Sequence, residues 1–233
     1  HGLFWPTIGA YISDHSTRRE LPARLGRYNI AWCSAFVVSS LAGGAIGQRW
    51  GQLAVAGLAA AGSLLAALAF ASQRFDAQPV AAGDPAEGAP RPSAARANAF
   101  WHMALLMNFA GVGMVATIRW DMPSVTGAGH SALGGMLLTA LFAGEVLTFV
   151  VLSVWSGWHY RALPLALGAA VCVAATLLCS RGPVPWLFGL GCALGGIGAG
   201  MANFSSVFYS LAADTGRGMR GGIHEAAVGL GGA

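Results

Sequence analysis

The sequence predicts an all-α, polytopic transmembrane helical bundle, and three observations predict it. Charge is scarce: of 233 residues 9% are charged and 55% are hydrophobic, where a soluble domain carries about a quarter charged residues. The remaining charges gather in clusters, separated by apolar stretches of about 20 residues, the length that crosses a bilayer as a helix. Many of the 34 glycines recur at four-residue spacing, as at Gly43 and Gly47, Gly191 and Gly195, and Gly196 and Gly200. That spacing lets helix backbones approach closely in lipid.

Taken in order, residues 1–12 (HGLFWPTIGAYI) read as the end of a span, and the chain closes inside another apolar run, so a fragment of a longer protein is expected. A polar stretch from Ser13 to Arg27 precedes spans over about 28–47 and 52–71, which a tight Gln48-Arg49-Trp50-Gly51 turn joins. Residues 73–97 are rich in Ala, Pro and Gly, mix both charge signs and lack a helical period, the composition of a flexible linker. Spans resume at about 98–118, 131–155, 162–179 and 185–210, and a last one begins at Gly222 or Ile223. The expected organisation is the end of an N-terminal helical half over 1–72, a linker over 73–97 and a C-terminal half over 98–233.

All 13 basic residues are arginine. Alternating the spans puts Arg18, Arg19, Arg24, Arg27, Arg74, Arg91, Arg96, Arg161, Arg217 and Arg220 on one side and Arg49, Arg119 and Arg181 on the other. Basic residues beside spans collect on the cytoplasmic side, so the linker is expected there and the Arg49 turn outside. The same placement excludes nucleic acid as the partner implied by the net charge of +4. Cys33, Cys172, Cys179 and Cys192 lie in apolar segments without metal-type spacing and read as small buried thiols.

This pattern resembles the major facilitator superfamily, in which two six-helix halves are joined by a long cytoplasmic linker. The runs that carry the resemblance are Gly26-Arg27-Tyr28-Asn29-Ile30-Ala31-Trp32 and Gly222-Ile223-His224-Glu225-Ala226, similar to bacterial permeases at the start of the fifth and eleventh helices. The chain would then span the end of helix four, helices five to ten and the start of helix eleven. The halves of that family are parallel repeats, and placing Asn29 on Glu225 sets Ala35 on Gly231. One departure stands out: Ser34 to Gly44 reads SAFVVSSLAGG where the family's antiporters carry a Gly-Pro-containing glycine run. The resemblance implies a monomeric multi-pass protein of the bacterial inner membrane that moves a small solute by alternating access, coupled to protons and without a cofactor.

An ionisable side chain inside a span costs several kcal/mol on insertion scales, of order 2.5–3.5 at the centre, which makes Glu145, well inside its span, the first candidate for proton coupling or substrate binding, with a structural acid paired to a neighbouring helix as the alternative. His224 and Glu225 follow as a gate or proton relay; at about 100° apart around one helix they are expected to face different neighbours, and a hydrated helix start beside Arg217 and Arg220 is the alternative. By the resemblance, helices four, seven and ten line the central cavity. Trp5, Asn108, Asn203 and Tyr209 would contact substrate there, and Asn29 and Trp32 read similarly; interhelical hydrogen bonding and packing are the alternatives. Arg119 and Asp121 read as an exposed ion pair of small consequence at the outer end of a span.

Enzyme signatures are absent: the chain has no Gly-x-Ser-x-Gly elbow, no His-Glu-x-x-His pair, and no lysine with which to build a nucleotide-binding Gly-x-x-x-x-Gly-Lys loop. The expected function is therefore secondary transport. A transporter-like sensor or scaffold, and an intramembrane enzyme using Glu145, His224 and Glu225, are the rival readings.

Overall fold

The computed structural model describes residues 4–17, 19–71, 92–127, 131–181, 184–212 and 216–232. Among them are eight α-helices and no strand: α1 (Phe4–Asp14), α2 (Leu21–Trp50), α3 (Gln52–Ala71), α4 (Ala94–Thr126), α5 (Ser131–Val154), α6 (Ala162–Cys179), α7 (Pro185–Leu211) and α8 (Arg217–Gly231), with a 3₁₀ turn at Ser156–Trp158. Five of these, α2, α4, α5, α6 and α7, are long and apolar enough to cross a membrane, and α3 adds an apolar stretch over Gln52–Ala66. Large apolar side chains such as Leu53, Leu58, Leu163, Leu167 and Trp186 stand exposed on the bundle, which is stable where the surroundings are hydrocarbon and water cannot satisfy a bare backbone.

Helix ends fall where backbone chemistry dictates, and charge clusters do not mark them. α2 starts at Leu21, seven residues before the predicted span, because Pro22 occupies a first-turn position where a missing N–H costs nothing. It also runs through the predicted turn to Trp50; the chain reverses at Gly51 alone, at φ 81, a conformation glycine tolerates. α4 begins at Ala94, where the Ser93 hydroxyl accepts from the Arg96 N–H, so the last residues of the predicted linker are helical; residues 73–91 of it lie outside the described residues. α4 continues beyond Ile118 to Thr126 and stops at Gly127. α8 begins at Arg217 and not at Gly222, after Gly216 at φ 71.

α7 is the most enclosed helix and packs against α4, α5, α6 and α8, while α2 packs along α5. Lipid supplies no hydrophobic drive for helix association, so these contacts depend on close backbone approach. A Cβ on Gly196 would overlap the Leu141 carbonyl, and one on Gly144 would overlap that of Ala193, which makes α5 and α7 a glycine-matched pair. Between α2 and α5 a Cβ on Gly135 would overlap the Ser40 carbonyl and crowd Gly44; Gly43, of the predicted Gly43 and Gly47 spacing, meets only Val55 on α3.

The α2–α5 seam runs antiparallel from Gly26 against Ser153, through Cys33 and Glu145, Thr139 and Val37, to Ser131 with Gly44 and Gln48 with Ala132. Loops assigned to one side by alternation do meet. Asp14 lies 3.9 Å from Arg217, Arg96 donates to the Tyr160 carbonyl at 2.8 Å, and Arg220 donates to Asn98 at 2.7 Å. The opposite end gathers Gln48, Gln52, Arg119, Thr126 and Ser131 around a second cavity.

Candidate functional site

Helical spacing presents three stripes, each mixing polar and apolar residues, to one space. On α2, Asn29, Trp32 and Phe36 stand at i, i+3 and i+7; on α7, Asn203, Val207 and Ser210 repeat nearly the same spacing; on α8, Gly221, His224, Glu225 and Val228 do likewise. Together with Gly9 and Ile12 of α1 and Arg119 of α4 they line a cavity of about 390 Å³. Five of the residues singled out in the sequence thus share one site: Asn29, Trp32, Asn203, His224 and Glu225.

The α8 wall is tied down by buried polar contacts. His224 is 4% exposed; its Nδ1 lies 2.8 Å from the Ser206 hydroxyl of α7 and 3.5 Å from the Asn108 amide of α4. Its Nε2 approaches Glu225 Oε1 to 4.0 Å, so the two neighbours are not directed apart as expected: the cavity wraps far enough round α8 to admit both. Nor is His224 at a hydrated helix start, because it is buried, while Arg220 is engaged with Asn98 and lies 4.8 Å over the Trp101 ring. Asn108 is buried at 1% exposure behind this wall and does not line the cavity.

On the α2 wall, Asn29 is 3% exposed. Its Oδ1 accepts from the Trp32 indole N–H at 2.9 Å, and its Nδ2 has no hydrogen-bond partner. A buried unmade donor costs about 1–3 kcal/mol, and this one belongs to a cavity-lining side chain.

Glu145 does not line the cavity. It is buried in the α2–α5 seam, where the Cys33 thiol donates to its Oε2 at 3.0 Å, and the cation whose field acts on it is Arg119. Tyr209 is at the end of the bundle that holds Arg96 and Tyr160, its hydroxyl accepting from the Tyr160 N–H at 3.0 Å within a cluster with Phe100 and Trp158; it is not among the lining residues. The Trp5 backbone belongs to α1, and its side chain lies outside the described residues.

Arg119 is the residue that sequence reasoning set aside. Its expected pairing with Asp121 does not form, because residues two apart on a helix point to different sides, and α4 stays helical through both. Instead the guanidinium turns inward, 5.5 Å from the centre of the Phe142 ring, and Arg119 lines both the central cavity and the second one beside Gln48 and Thr126. The signal available in the sequence was that one basic residue adjoined an apolar span with a carboxylate at only i+2.

A helical bundle with bilayer-length spans, glycine-matched seams and a largely apolar cavity carrying a few polar groups, enclosed by helices from both ends of the chain, defines a multi-pass membrane protein built around a solute-sized space. The family description that matches, over residues 1–233, is Major Facilitator Superfamily. The chain belongs to that superfamily, whose members are membrane transporters acting on small solutes across the lipid bilayer. No curated protein and no solved structure matches the chain.

Proposed function

We propose that this protein is a secondary active transporter of the bacterial inner membrane, moving a small solute by alternating access with proton coupling and acting as a monomer. The observation that carries the reading is the cavity of about 390 Å³, whose size suits a small organic molecule and whose walls come from α1–α2 and α7–α8 together. Asn29, Trp32 and Asn203 contact the solute. Glu225 and His224 face the same space, and Glu145 stands behind it in the seam between the two groups of helices. These are the groups that carry the proton, since ionisable side chains enclosed among spans are rare and mark ion pathways and proton relays.

Rocking of α1–α3 against α4–α8 about the cavity exposes it alternately to each side. Uptake into proteoliposomes by the full-length protein, with and without an imposed proton gradient, tests the reading. Gradient-dependent accumulation of a solute is the expected result. Solute binding without movement across the membrane would favour a sensor or scaffold instead.

A further inference from the structure

The structure assigns Arg119 and Asn29 as the two recognition points for an organic anion: we infer that the solute carries a carboxylate or similar anionic group held by Arg119, an apolar or aromatic body, and a second acceptor oxygen that meets Asn29. The inference rests on the reading of the central cavity as the solute site.

Arg119 lies over Phe142, which stands at the midpoint of α5, and Phe142 is stacked on Phe36 of the cavity wall at 4.8 Å. The guanidinium is thereby drawn to mid-span depth. There an arginine needs a counter-charge, yet among the described residues none lies within hydrogen-bond or ion-pair reach of it. Glu145 acts on it only through the field. Glu225 faces the same cavity at the level of His224 and Asn108, and Asn108 is 11 residues from Arg119 along α4, roughly 16 Å at 1.5 Å per residue.

Asn29 adds an independent observation. Its acceptor is taken by Trp32, leaving a buried donor with no partner. What the α2 wall and Arg119 offer a ligand is therefore donors at two points, with the faces of Trp32 and Phe36 between them. Asn29 and Phe36 are seven residues apart on α2, about 10 Å. A planar arginine fork favours carboxylate or phosphate oxygens, the aromatic rings favour an apolar body, and an unsatisfied amide N–H favours a carbonyl or hydroxyl oxygen. A cationic solute would leave both donors unmade.

The test uses the full-length protein in detergent with three probes that share a 4-acetylphenyl body, 4-acetylbenzoate, 4-acetylbenzamide and 4-acetylbenzylammonium, reading affinity from the ligand-dependent rise in melting temperature. The wild type is expected to prefer the carboxylate. R119Q should lose at least about tenfold in affinity for it while its weak affinity for the amide stays the same, and R119K should retain part of the preference. Melting without ligand checks that each variant is folded, and R119K serves if R119Q is not.

Preference for the amide or the ammonium, no binding of the carboxylate, or a carboxylate affinity that neither variant changes would overturn the assignment. Proteoliposome uptake separates this from the transport reading. Arg119-dependent binding without uptake leaves the anion site standing and removes transport; Arg119-independent uptake of a neutral solute does the reverse.

Discussion

The Cys33 thiol on α2 donates to Glu145 Oε2 on α5 at 3.0 Å, joining the two helices at the middle of their seam. Replacing Glu145 with Gln keeps an oxygen for that thiol, so we expect membrane insertion and melting temperature to stay close to wild type while uptake loses its dependence on pH. Cys33→Ala instead leaves a buried oxygen unmatched and should cost about 1–3 kcal/mol in unfolding measurements. A Glu145→Gln protein with an unaltered pH profile would remove Glu145 from proton coupling.

Gly196 has no room for a side chain, because a Cβ there would run into the Leu141 carbonyl. Gly196→Ala should lower stability by about 1–3 kcal/mol or more, since a backbone obstacle cannot rotate away. Gly218, with nothing nearby, is the control, and its replacement by Ala should leave melting unchanged or raise it slightly. Equal melting temperatures for the two variants would contradict the close packing of α5 on α7.

His159, in the loop between α5 and α6, stacks on Phe208 at 4.6 Å, and its Nε2 is buried without a hydrogen-bond partner. Burial holds its pKa down at about 4, below the ordinary 6.5. The unfolded chain therefore binds more protons between these values, so the stability is full above about pH 6.5 and drains away as pH falls toward 4. Across that window the melting temperature of wild type should fall relative to that of His159→Phe as pH drops, the variant losing less; parallel curves would show that the imidazole is not protected.

Topology can be checked by accessibility labelling of single cysteines in a cysteine-free background. A cysteine placed within 73–91 should react only from the cytoplasmic side and one at Arg49 only from the opposite side, as the distribution of arginines predicts. Labelling of both positions from one side would undo the alternation of spans.

Much of the architecture was legible because a bilayer sets both the length and the polarity of each segment. Helix ends were less so: α2, α4 and α8 pass through clusters of arginine and stop or start only where glycine, proline or a serine cap changes the backbone. At the site, the scarcity of polar groups within spans singled out Asn29, Trp32, Asn203, His224 and Glu225, but which face looks inward depends on neighbouring helices, so His224 and Glu225 reach one cavity although they were expected to face apart. Hence Asn108 fell behind the wall, Tyr209 fell beside the Tyr160 loop, and Arg119, set aside as half of an exposed ion pair, reaches back along its own long side chain to the cavity.

The α2–α5 seam spans residues 26 to 48 of α2, about 33 Å of helix, close to the full thickness of the hydrocarbon layer. Two rods in contact along such a length have no slack between them, and their only easy relative movement is to fan open on the far side, as covers turn about a spine. The small residues at the line of contact thus govern the width of a space they never touch. A single added methyl group there acts as a shim, and its effect would be felt in the cavity before it was felt at the seam.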